Sequence, residues 1–356
     1  MRLLSTLYGA AARQRRRWYA SRPAARRRLG RPVISVGALA VGGSGKTPVA
    51  AHVAELLARL GERPAVLSRG YGRAARPAGV VVVRDPDGVR AGVDEAGDEP
   101  LMLAERLPGA CVLVCADRHR AGRLAEERFD VTVHVLDDGF QHLALDRDVD
   151  LVVIGAADAV ERRTLPAGRL REHPDTANLA DALLVEAPSL ARAASLAGRF
   201  GAGPVFRLAR RLGTPVLELP PAREPAPAPE PAVALDAAAN VPSGARVVVV
   251  AGIAHPAAFA DDVRAAGYDV AALLPFADHH RFSARDVARV ARRAGELAAD
   301  AVLTTEKDMV RLRPLAPFAV PVASVPLRVE IEPAERFRSW LVDRLRAARQ
   351  SRAGSR

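Results

Sequence analysis

Cysteine is scarce in this chain, and the two that are present do not fit several classes of site. Cys111 and Cys115 are the only cysteines among 356 residues. Their spacing matches neither a zinc site nor a thioredoxin-type redox pair. Both lie on or beside an apolar run, so we expect buried free thiols in a protein of a reducing compartment.

Long apolar segments are missing from the N-terminal region. Its apolar part, residues 3–12, is far shorter than the ~20 residues that a helix needs to cross a bilayer. It is also not followed by a small-residue cleavage site, so we expect no signal peptide. Internal repeats are not evident either. The length of 356 residues and the 49% hydrophobic content favour two domains with a sizeable core.

Acidic residues are missing from residues 1–31, which carry ten arginines. A second basic stretch, residues 336–356, has seven arginines against Asp343 alone. The net charge of +11 therefore comes mainly from the two ends. Residues 1–30 also contain leucine, tyrosine and tryptophan, a pattern typical of a segment on an anionic membrane surface. A solvated basic tail or a contact to a nucleic-acid backbone fits the composition equally well.

The most specific segment is residues 33–47, VISVGALAVGGSGKT. An apolar strand followed by a glycine-rich turn and GKT predicts a loop that holds the phosphates of a nucleoside triphosphate. The glycines permit positive φ, so that backbone N–H groups can turn onto an anion at the start of a helix. We expect Lys46 to reach the β- and γ-phosphates and the Thr47 hydroxyl to bind Mg²⁺. The loop residues are Ala40, Val41, Gly42, Gly43, Ser44, Gly45, Lys46 and Thr47, with Ala40 where the general motif has glycine.

Two pairs of carboxylates accompany this loop. Residues 131–138, VTVHVLDD, predict an apolar strand that ends in Asp137 and Asp138. A phosphate loop needs such an acidic group for Mg²⁺ on the phosphates. Asp98 and Glu99 form a second pair, for which a helix N-terminus is an equally good interpretation.

The order of predicted elements indicates an α/β fold. Apolar strands alternate with helices, which predicts a P-loop NTPase-like, mostly parallel sheet covered on both faces, with ligands beyond the carboxyl ends of the strands. A second, smaller Rossmann-like α/β domain follows a proline- and alanine-rich segment. The predicted divisions are a basic amphipathic arm at 1–30, a P-loop domain at 31–218, a linker or loop at 219–232, the second domain at 233–335 and a basic tail at 336–356.

Several motifs occur together with sensible spacing, in the order GALAVGGSGKTP, LSRGYGR, AGDEP, DRHRAG, LDDGFQH, LPAGRLRE, AGIAHPAAF, FADHH and TTEKD. In this order they resemble the tetraacyldisaccharide 4′-kinase family, the lipid A 4′-kinases of Gram-negative bacteria. The resemblance spans roughly residues 30–315. The phosphate loop of that family also lacks the first glycine, so Ala40 agrees with it.

The resemblance implies transfer of the γ-phosphate of ATP, with Mg²⁺, to the 4′-hydroxyl of a tetraacyldisaccharide 1-phosphate, which gives lipid IVA. It implies two α/β lobes with the active site between them. It also implies a peripheral or monotopic protein at the cytoplasmic face of the bacterial inner membrane. Since this substrate lies in a membrane, we expect residues 1–30 to dock on an anionic membrane surface rather than on nucleic acid. We expect a monomer.

Individual residues match positions of the family's site. The resemblance implies that Lys46 holds the phosphates and that Thr47, Asp137, Asp138 and Glu99 lie on the metal side.

For the acceptor, Asp98 matches the proposed general base and His279 the histidine that pairs with it. Arg171 and Glu172 match positions near the nucleotide or metal, and His280 is left without a role.

Two other functions remain possible on the sequence. One is a phosphate-loop GTPase or ATPase that delivers a metal cofactor, although a guanine-reading N-K-x-D is not seen and residues 305–308, TEKD, are the nearest string. The other is a nucleotide-gated adaptor that binds nucleic acid or membrane through its basic ends.

Overall fold

The computed structural model describes residues 1–75, 78–201, 203–220 and 240–354. Two compact units are found, one formed by Met1–Arg210 with Val329–Arg356 and the other by Arg211–Arg328. Most of the predicted linker, from residue 221, lies outside the described residues, as do the first residues of the predicted second domain.

Strands and helices alternate along most of the chain. The strands are β1 (Val33–Ala38), β2 (Pro64–Ser68), β3 (Val81–Asp85), β4 (Gly88–Val89), β5 (Cys111–Val114), β6 (Val133–Asp137), β7 (Val149–Ile154), β8 (Ala182–Glu186), β9 (Val205–Leu212), β10 (Val216–Leu219), β11 (Arg246–Ala251), β12 (Asp269–Pro275), β13 (Ala301–Thr305), β14 (Val322–Val325) and β15 (Leu327–Glu332). The helices are α1 (Arg2–Ala20), α2 (Lys46–Arg59), α3 (Val93–Ala96), α4 (Asp98–Arg106), α5 (Arg118–Arg128), α6 (Leu190–Ala197), α7 (Pro256–Ala265), α8 (Ala284–Glu296), α9 (Glu306–Leu312) and α10 (Ala334–Ala353).

The first unit is built on one sheet. Among the described residues its strand order is β15-β9-β8-β7-β1-β6-β2-β5-β3-β4. The pairs from β9 across to β5 are parallel, and β3 pairs antiparallel with both β5 and β4. The central strands are buried along their whole length, as continuous apolar runs in a parallel sheet must be. The expected mostly parallel α/β sheet is confirmed.

The second unit has a smaller sheet, with the strand order β10-β14-β13-β11-β12 among the described residues. Its three central strands are parallel to one another, and β10 is antiparallel to β14. A capping box at Ser283 and Asp286 begins α8, which buries Val290 and Ala294. The unit is therefore an α/β domain with its own core.

Both basic ends of the chain are helical, and most of the predicted basic tail, residues 336–353, belongs to α10. In α10, Phe337, Leu341 and Leu345 recur every four residues and are buried. Its far end is held by Arg352, which pairs with Asp148. The periodicity of these apolar residues makes the segment part of the first unit's core, although seven arginines dominate its composition.

Residues 93–106 form two helices with a break at Gly97. α3 ends at Ala96 and α4 begins at Asp98, because Gly97 adopts φ +88° between them. A Cβ at Gly97 would lie 2.7 Å from the carbonyl oxygen of Tyr71. The glycine thus sets where α4 starts and places Asp98 and Glu99 in its first turn.

Both cysteines are buried free thiols, as expected. Burial raises the pKa of Cys111 to about 11, which makes it a poor nucleophile.

In the part of the chain that the structure describes, no helix is both long and apolar enough to cross a membrane.

Candidate active site

The glycine-rich loop and the acidic strand end lie side by side in the first unit. β1 and β6 are neighbouring parallel strands, and Val36 pairs with Asp137. Because both strands point the same way, the loop after β1 and the carboxylates at the end of β6 meet at the same edge of the sheet. The sequence-predicted residues of these two segments are therefore brought together.

The loop has the backbone of an anion-binding turn. Gly42, Gly43 and Gly45 adopt φ of +68°, +47° and +74°. α2 begins at Lys46, directly after Gly45, so its N-terminal N–H groups and its dipole face the loop. Lys46 donates from Nζ to Ser44 Oγ at 3.0 Å. This arrangement can cradle phosphate oxygens.

Thr47 and Asp137 form the centre of this edge. The Thr47 hydroxyl lies 3.3 Å from both carboxylate oxygens of Asp137. The pKa of Asp137 is raised to about 7, first by burial and then by the neighbouring charges of Glu99 and Asp138, while Lys46 and the hydrogen bond from Thr47 lower it. The charged form of Asp137 would therefore be favoured by an added cation.

Such a site fits a divalent cation. A hydroxyl and a carboxylate are the oxygen donors that Mg²⁺ prefers, and a cation would relieve the charge that raises the pKa of Asp137. Among the described residues, no group of three or more histidine, cysteine, aspartate and glutamate side chains could hold a metal ion. Phosphate oxygens and water would have to complete the shell, as is usual for Mg²⁺.

Asp138 makes cationic contacts. Arg171 donates to both of its carboxylate oxygens at 2.8 and 2.7 Å, and Lys46 Nζ lies 3.8 Å away. Desolvation opposes the charged form, yet the hydrogen bonds from Arg171 and the charge of Lys46 lower the pKa of Asp138 below its ordinary value. Burial notwithstanding, Asp138 favours its charged form and orients Lys46 of the loop and Arg171 beside it.

Ala40 and Val41, at the start of the loop, are fixed by the segment that carries Arg171. Ala40 is buried and forms an antiparallel bridge with Leu170. Val41 N–H donates to the Arg169 carbonyl, and Arg169 Nη2 donates back to the carbonyl oxygens of Val41 and Gly42 at 3.2 Å. A buried alanine fits this bridge.

Arg210 is a residue of this site that the sequence analysis did not identify. From the end of β9, its Nη2 donates to the Ser44 carbonyl at 3.1 Å and lies 2.9 Å from Glu186. A Cβ at Gly45 would lie 2.8 Å from this guanidinium. Arg169 and Arg210 therefore bond the carbonyl groups of Val41, Gly42 and Ser44, which favours a loop backbone whose later N–H groups can face an anion.

The second acidic pair lies in the first turn of α4. Asp98 is 1% exposed and accepts a hydrogen bond from Glu99 N–H at 2.9 Å. Glu99 is close enough to raise the pKa of Asp137. Glu99 thus lies near Asp137, and its place on the metal side remains what the resemblance implies.

Glu172 is turned toward the N-terminal helix. It accepts from Arg16 Nε at 2.7 Å and from Arg16 Nη2 at 2.8 Å. The two side chains are only 7% and 12% exposed. The resemblance places Glu172 near the nucleotide or metal, whereas the contacts seen here are those of an ion pair with α1.

In the second unit, the two adjacent histidines differ. His280 packs against the rings of Phe276 and Phe282 and pairs with Asp286 at 3.2 Å, contacts typical of a structural role. His279 adopts φ +61°, and its Nε2 lies 3.8 Å from Asp278.

The TTEKD motif supports the same region. Asp278 accepts a hydrogen bond from Lys307 at 2.6 Å. Asp308 accepts hydrogen bonds from the Thr305 hydroxyl and from Gly252 N–H. The carbonyl oxygen of Gly252 in turn accepts a hydrogen bond from His279 N–H. The motif is therefore the framework of the His279 loop.

Comparison with known proteins identifies the family. The sequence profile described as tetraacyldisaccharide-1-P 4′-kinase, LpxK, matches residues 1–346. The chain belongs to this family. A tetraacyldisaccharide 4′-kinase of Geobacter metallireducens is 40% identical over 314 residues, which are 88% of each chain. That of Nitrobacter winogradskyi is 39% identical over 356 residues, covering 98% of this chain and 94% of the relative.

A solved structure agrees with the fold. LpxK from Aquifex aeolicus, crystallised in complex with ATP, superimposes with a TM-score of 0.73 at 28% identity and covers 96% of this chain and 97% of its own. Membership of the LpxK family favours a phosphotransferase over a metal-delivering GTPase.

Proposed function

We propose that this protein transfers the γ-phosphate of ATP to the 4′-hydroxyl of tetraacyldisaccharide 1-phosphate and forms lipid IVA. The observation that carries the proposal is the phosphate loop set against Asp137 and Asp138, in a chain matched over residues 1–346 by the tetraacyldisaccharide-1-P 4′-kinase profile. The ATP bound by the Aquifex aeolicus relative supports ATP as the donor.

The donor half of the reaction needs positioning and charge stabilisation. The loop N–H groups and the α2 N-terminus bind the β- and γ-phosphates, and Lys46 neutralises charge on the group being transferred. Asp138 holds Lys46 and Arg171 in place. Thr47 and Asp137 would hold Mg²⁺, which neutralises phosphate charge when bound.

For the acceptor half, Asp98 accepts the proton of the 4′-hydroxyl. An aspartate is a weak base for an alcohol, but proton transfer can be late in phosphoryl transfer, so geometry matters more than basicity. Burial at 1% exposure and the bond to Glu99 N–H restrict the orientation of its side chain. The family resemblance assigns His279 to the same proton transfer, as a group that could share the proton.

A lipid acceptor requires the protein to work at a membrane. α1 exposes Leu3, Leu4 and Leu7 together with Tyr8 and Trp18, on a helix that carries five arginines and no acidic residue. This combination supports docking of α1 on an anionic surface. The proposal places the protein, as a peripheral or monotopic monomer, on the cytoplasmic face of the inner membrane.

The decisive experiment incubates the purified protein with ATP, Mg²⁺ and the disaccharide 1-phosphate lipid, and scores 4′-phosphorylated product by mass spectrometry. We expect product with ATP and none when Mg²⁺ is chelated. GTP preference, or nucleotide turnover without lipid, would overturn the proposal. Asp98→Asn and His279→Ala should each lower kcat at saturating substrate, and near-normal turnover of both would exclude the acid–base pair.

A further inference from the structure

We infer that Arg16 is a positioning residue that links α1 to the carboxylate and arginine behind the phosphate loop. The inference rests on the proposed function, because it assigns Arg16 a part in the same phosphoryl transfer. Arg16 belongs to the N-terminal helix, which the sequence indicates only as a basic membrane-associating arm. Its side chain, 12% exposed, points into the first unit.

Three contacts hold this guanidinium. Nε and Nη2 donate to the two carboxylate oxygens of Glu172 at 2.7 and 2.8 Å, a bidentate pair. Nη2 also donates to the Phe140 carbonyl at 3.2 Å. The guanidinium carbon lies 4.4 Å from the centroid of the Phe140 ring. One side chain thus joins two loops that are 32 residues apart in sequence.

Phe140 and Glu172, which Arg16 contacts, lie next to residues of the candidate site in the two loops. Phe140 follows Asp138 by two residues, and Glu172 follows Arg171 directly. Asp138 and Arg171 are themselves joined by two hydrogen bonds. Arg16 therefore closes a ring of contacts from Glu172 through Arg171 and Asp138 to Phe140, and this ring fixes the spacing of the two loops.

The charge of Arg16 matters as much as its contacts. Glu172 is 7% exposed, and Arg16 is the cation to which it bonds at less than 3 Å. Without Arg16, Glu172 would be a buried carboxylate without that cation, a state that a protein relieves by moving the loop or by binding a proton. Either response disturbs Arg171, the adjacent residue, and through it Asp138.

α1 has a second attachment on the same loop. Ser5 and Thr164 exchange hydrogen bonds at 2.8 Å between each hydroxyl and the other's carbonyl oxygen. Ala167 N–H donates to Ser5 Oγ at 2.9 Å. The helix therefore lies on the segment that leads from Thr164 to Glu172, with Leu3, Leu4 and Leu7 exposed. A helix suited to a lipid surface also sets the geometry of the donor site.

The test compares Arg16→Gln with Arg17→Gln, which removes the same charge from an exposed position on the same helix. The assay measures kcat and the KM for Mg-ATP with the disaccharide 1-phosphate lipid in mixed micelles, and sedimentation with phosphatidylglycerol vesicles. We expect Arg16→Gln to lower kcat/KM for Mg-ATP by about 10- to 100-fold, because small misplacements of catalytic groups have effects of this size. Vesicle binding should match that of Arg17→Gln.

A double variant separates positioning from general damage. Arg16→Gln with Glu172→Gln removes the orphaned carboxylate, so it should recover part of the activity lost by Arg16→Gln alone. Equal kcat/KM for Arg16→Gln and Arg17→Gln would overturn the inference. So would a loss in Arg16→Gln that is explained by weaker vesicle binding.

Amide hydrogen exchange tests whether Arg16 holds these two loops, independently of any activity assay. Peptides covering residues 138–142 and 164–172 should exchange faster in Arg16→Gln than in Arg17→Gln, whereas peptides from the second unit should not change. If the wild-type protein does not phosphorylate the lipid, the proposed function fails, and faster exchange in these two segments would still support the positioning role. Unchanged exchange would exclude it, whatever the activity.

Discussion

Thr47 donates its hydroxyl proton toward a carboxylate, Asp137, whose two oxygens both lie 3.3 Å from Thr47 Oγ1. Asp137 is buried, and Glu99 and Asp138 add negative charge around it. The pair is thus arranged to receive a cation, and the charge of Asp137 is needed more for function than for folding.

Asp137→Asn should therefore lose activity while the protein remains folded. The amide keeps the size of the side chain but removes the charge that would bind Mg²⁺, so we expect kcat/KM to fall by about 10²- to 10³-fold. Kinase assays over a Mg²⁺ titration measure this effect. Asp87→Asn, at a side chain 83% exposed, is the control and should retain full activity. Comparable activity of the two variants would exclude a metal-binding role for Asp137.

The raised pKa of Asp137 predicts a pH-dependent difference in stability between these proteins. Its pKa is about 7 in the folded protein and 3.8 when unperturbed. Between these values the folded state holds a proton that the unfolded state has released. The contribution of Asp137 to stability is therefore complete below about pH 3.8 and is lost as pH rises through 7. The asparagine of Asp137→Asn does not titrate, so that variant lacks this pH-dependent contribution to stability.

The free energy of unfolding of wild type, relative to Asp137→Asn, should thus be about 1.4 kcal/mol lower at pH 8 than at pH 6. Urea unfolding without metal, followed by tryptophan fluorescence, measures it, since Trp18 and Trp340 both lie in the first unit. Histidines with lowered pKa, such as His142, titrate in both proteins and cancel in the difference. A pH-independent difference would contradict the prediction.

The sequence was sufficient to predict the residues whose role depends on local pattern. A phosphate loop is defined by glycines and a lysine within eight residues, and Asp137 and Asp138 follow an apolar strand that pairs beside it. Their juxtaposition follows from parallel topology.

Contacts between segments distant in the chain leave no local sequence pattern from which they could be predicted. Arg210 lies on β9, where VFRLARRL does not have the composition of a buried parallel strand, so the strand itself was not predicted. Arg16 is one of ten arginines near the N-terminus, and nothing in that run marks it as the partner of Glu172. Ion pairs across 156 residues depend on how the loops fold, which periodicity does not report.

Arg210→Met should weaken ATP binding. The Ser44 carbonyl would lose its donor, so the loop would become freer to turn its N–H groups away from phosphate, and we expect the KM for ATP to rise by about tenfold. Arg207→Met is the matched control on β9, because Arg207 bonds to the Ala187 carbonyl and pairs with Glu332. Equal ATP affinity of both variants in equilibrium binding would show that Arg210 does not shape the loop.

Replacement of Leu3, Leu4 and Leu7 by serine should weaken membrane docking. These side chains are 54% to 73% exposed, so their loss costs little folding energy but removes apolar area that would enter a lipid surface. We expect at least a tenfold drop in partitioning onto phosphatidylglycerol vesicles in a sedimentation assay. Leu179→Ser, at a leucine 60% exposed outside α1, should leave partitioning unchanged. Identical behaviour of both proteins would mean that α1 does not insert.

Arg352→Met should destabilise the first unit from the end of α10. Arg352 donates to both oxygens of Asp148, which in turn accepts from Val33 N–H at the start of β1. Both side chains are about 10% exposed, so removing the arginine leaves a buried carboxylate unpaired and should cost about 3 kcal/mol. Arg346→Met breaks an ion pair with Asp343 whose partners are 65% and 69% exposed, and it should cost less than about 1 kcal/mol.

Urea unfolding followed by tryptophan fluorescence, to which Trp18 and Trp340 both contribute, compares the two α10 variants directly. A large loss for Arg352→Met and a small one for Arg346→Met would establish that α10 stabilises the amino end of β1, the strand that leads into the phosphate loop. Equal small losses would mean that the apolar face of α10 holds it without Arg352. Since β1 is the central strand between β6 and β7, loosening its amino end should also lower the cooperativity of unfolding in Arg352→Met.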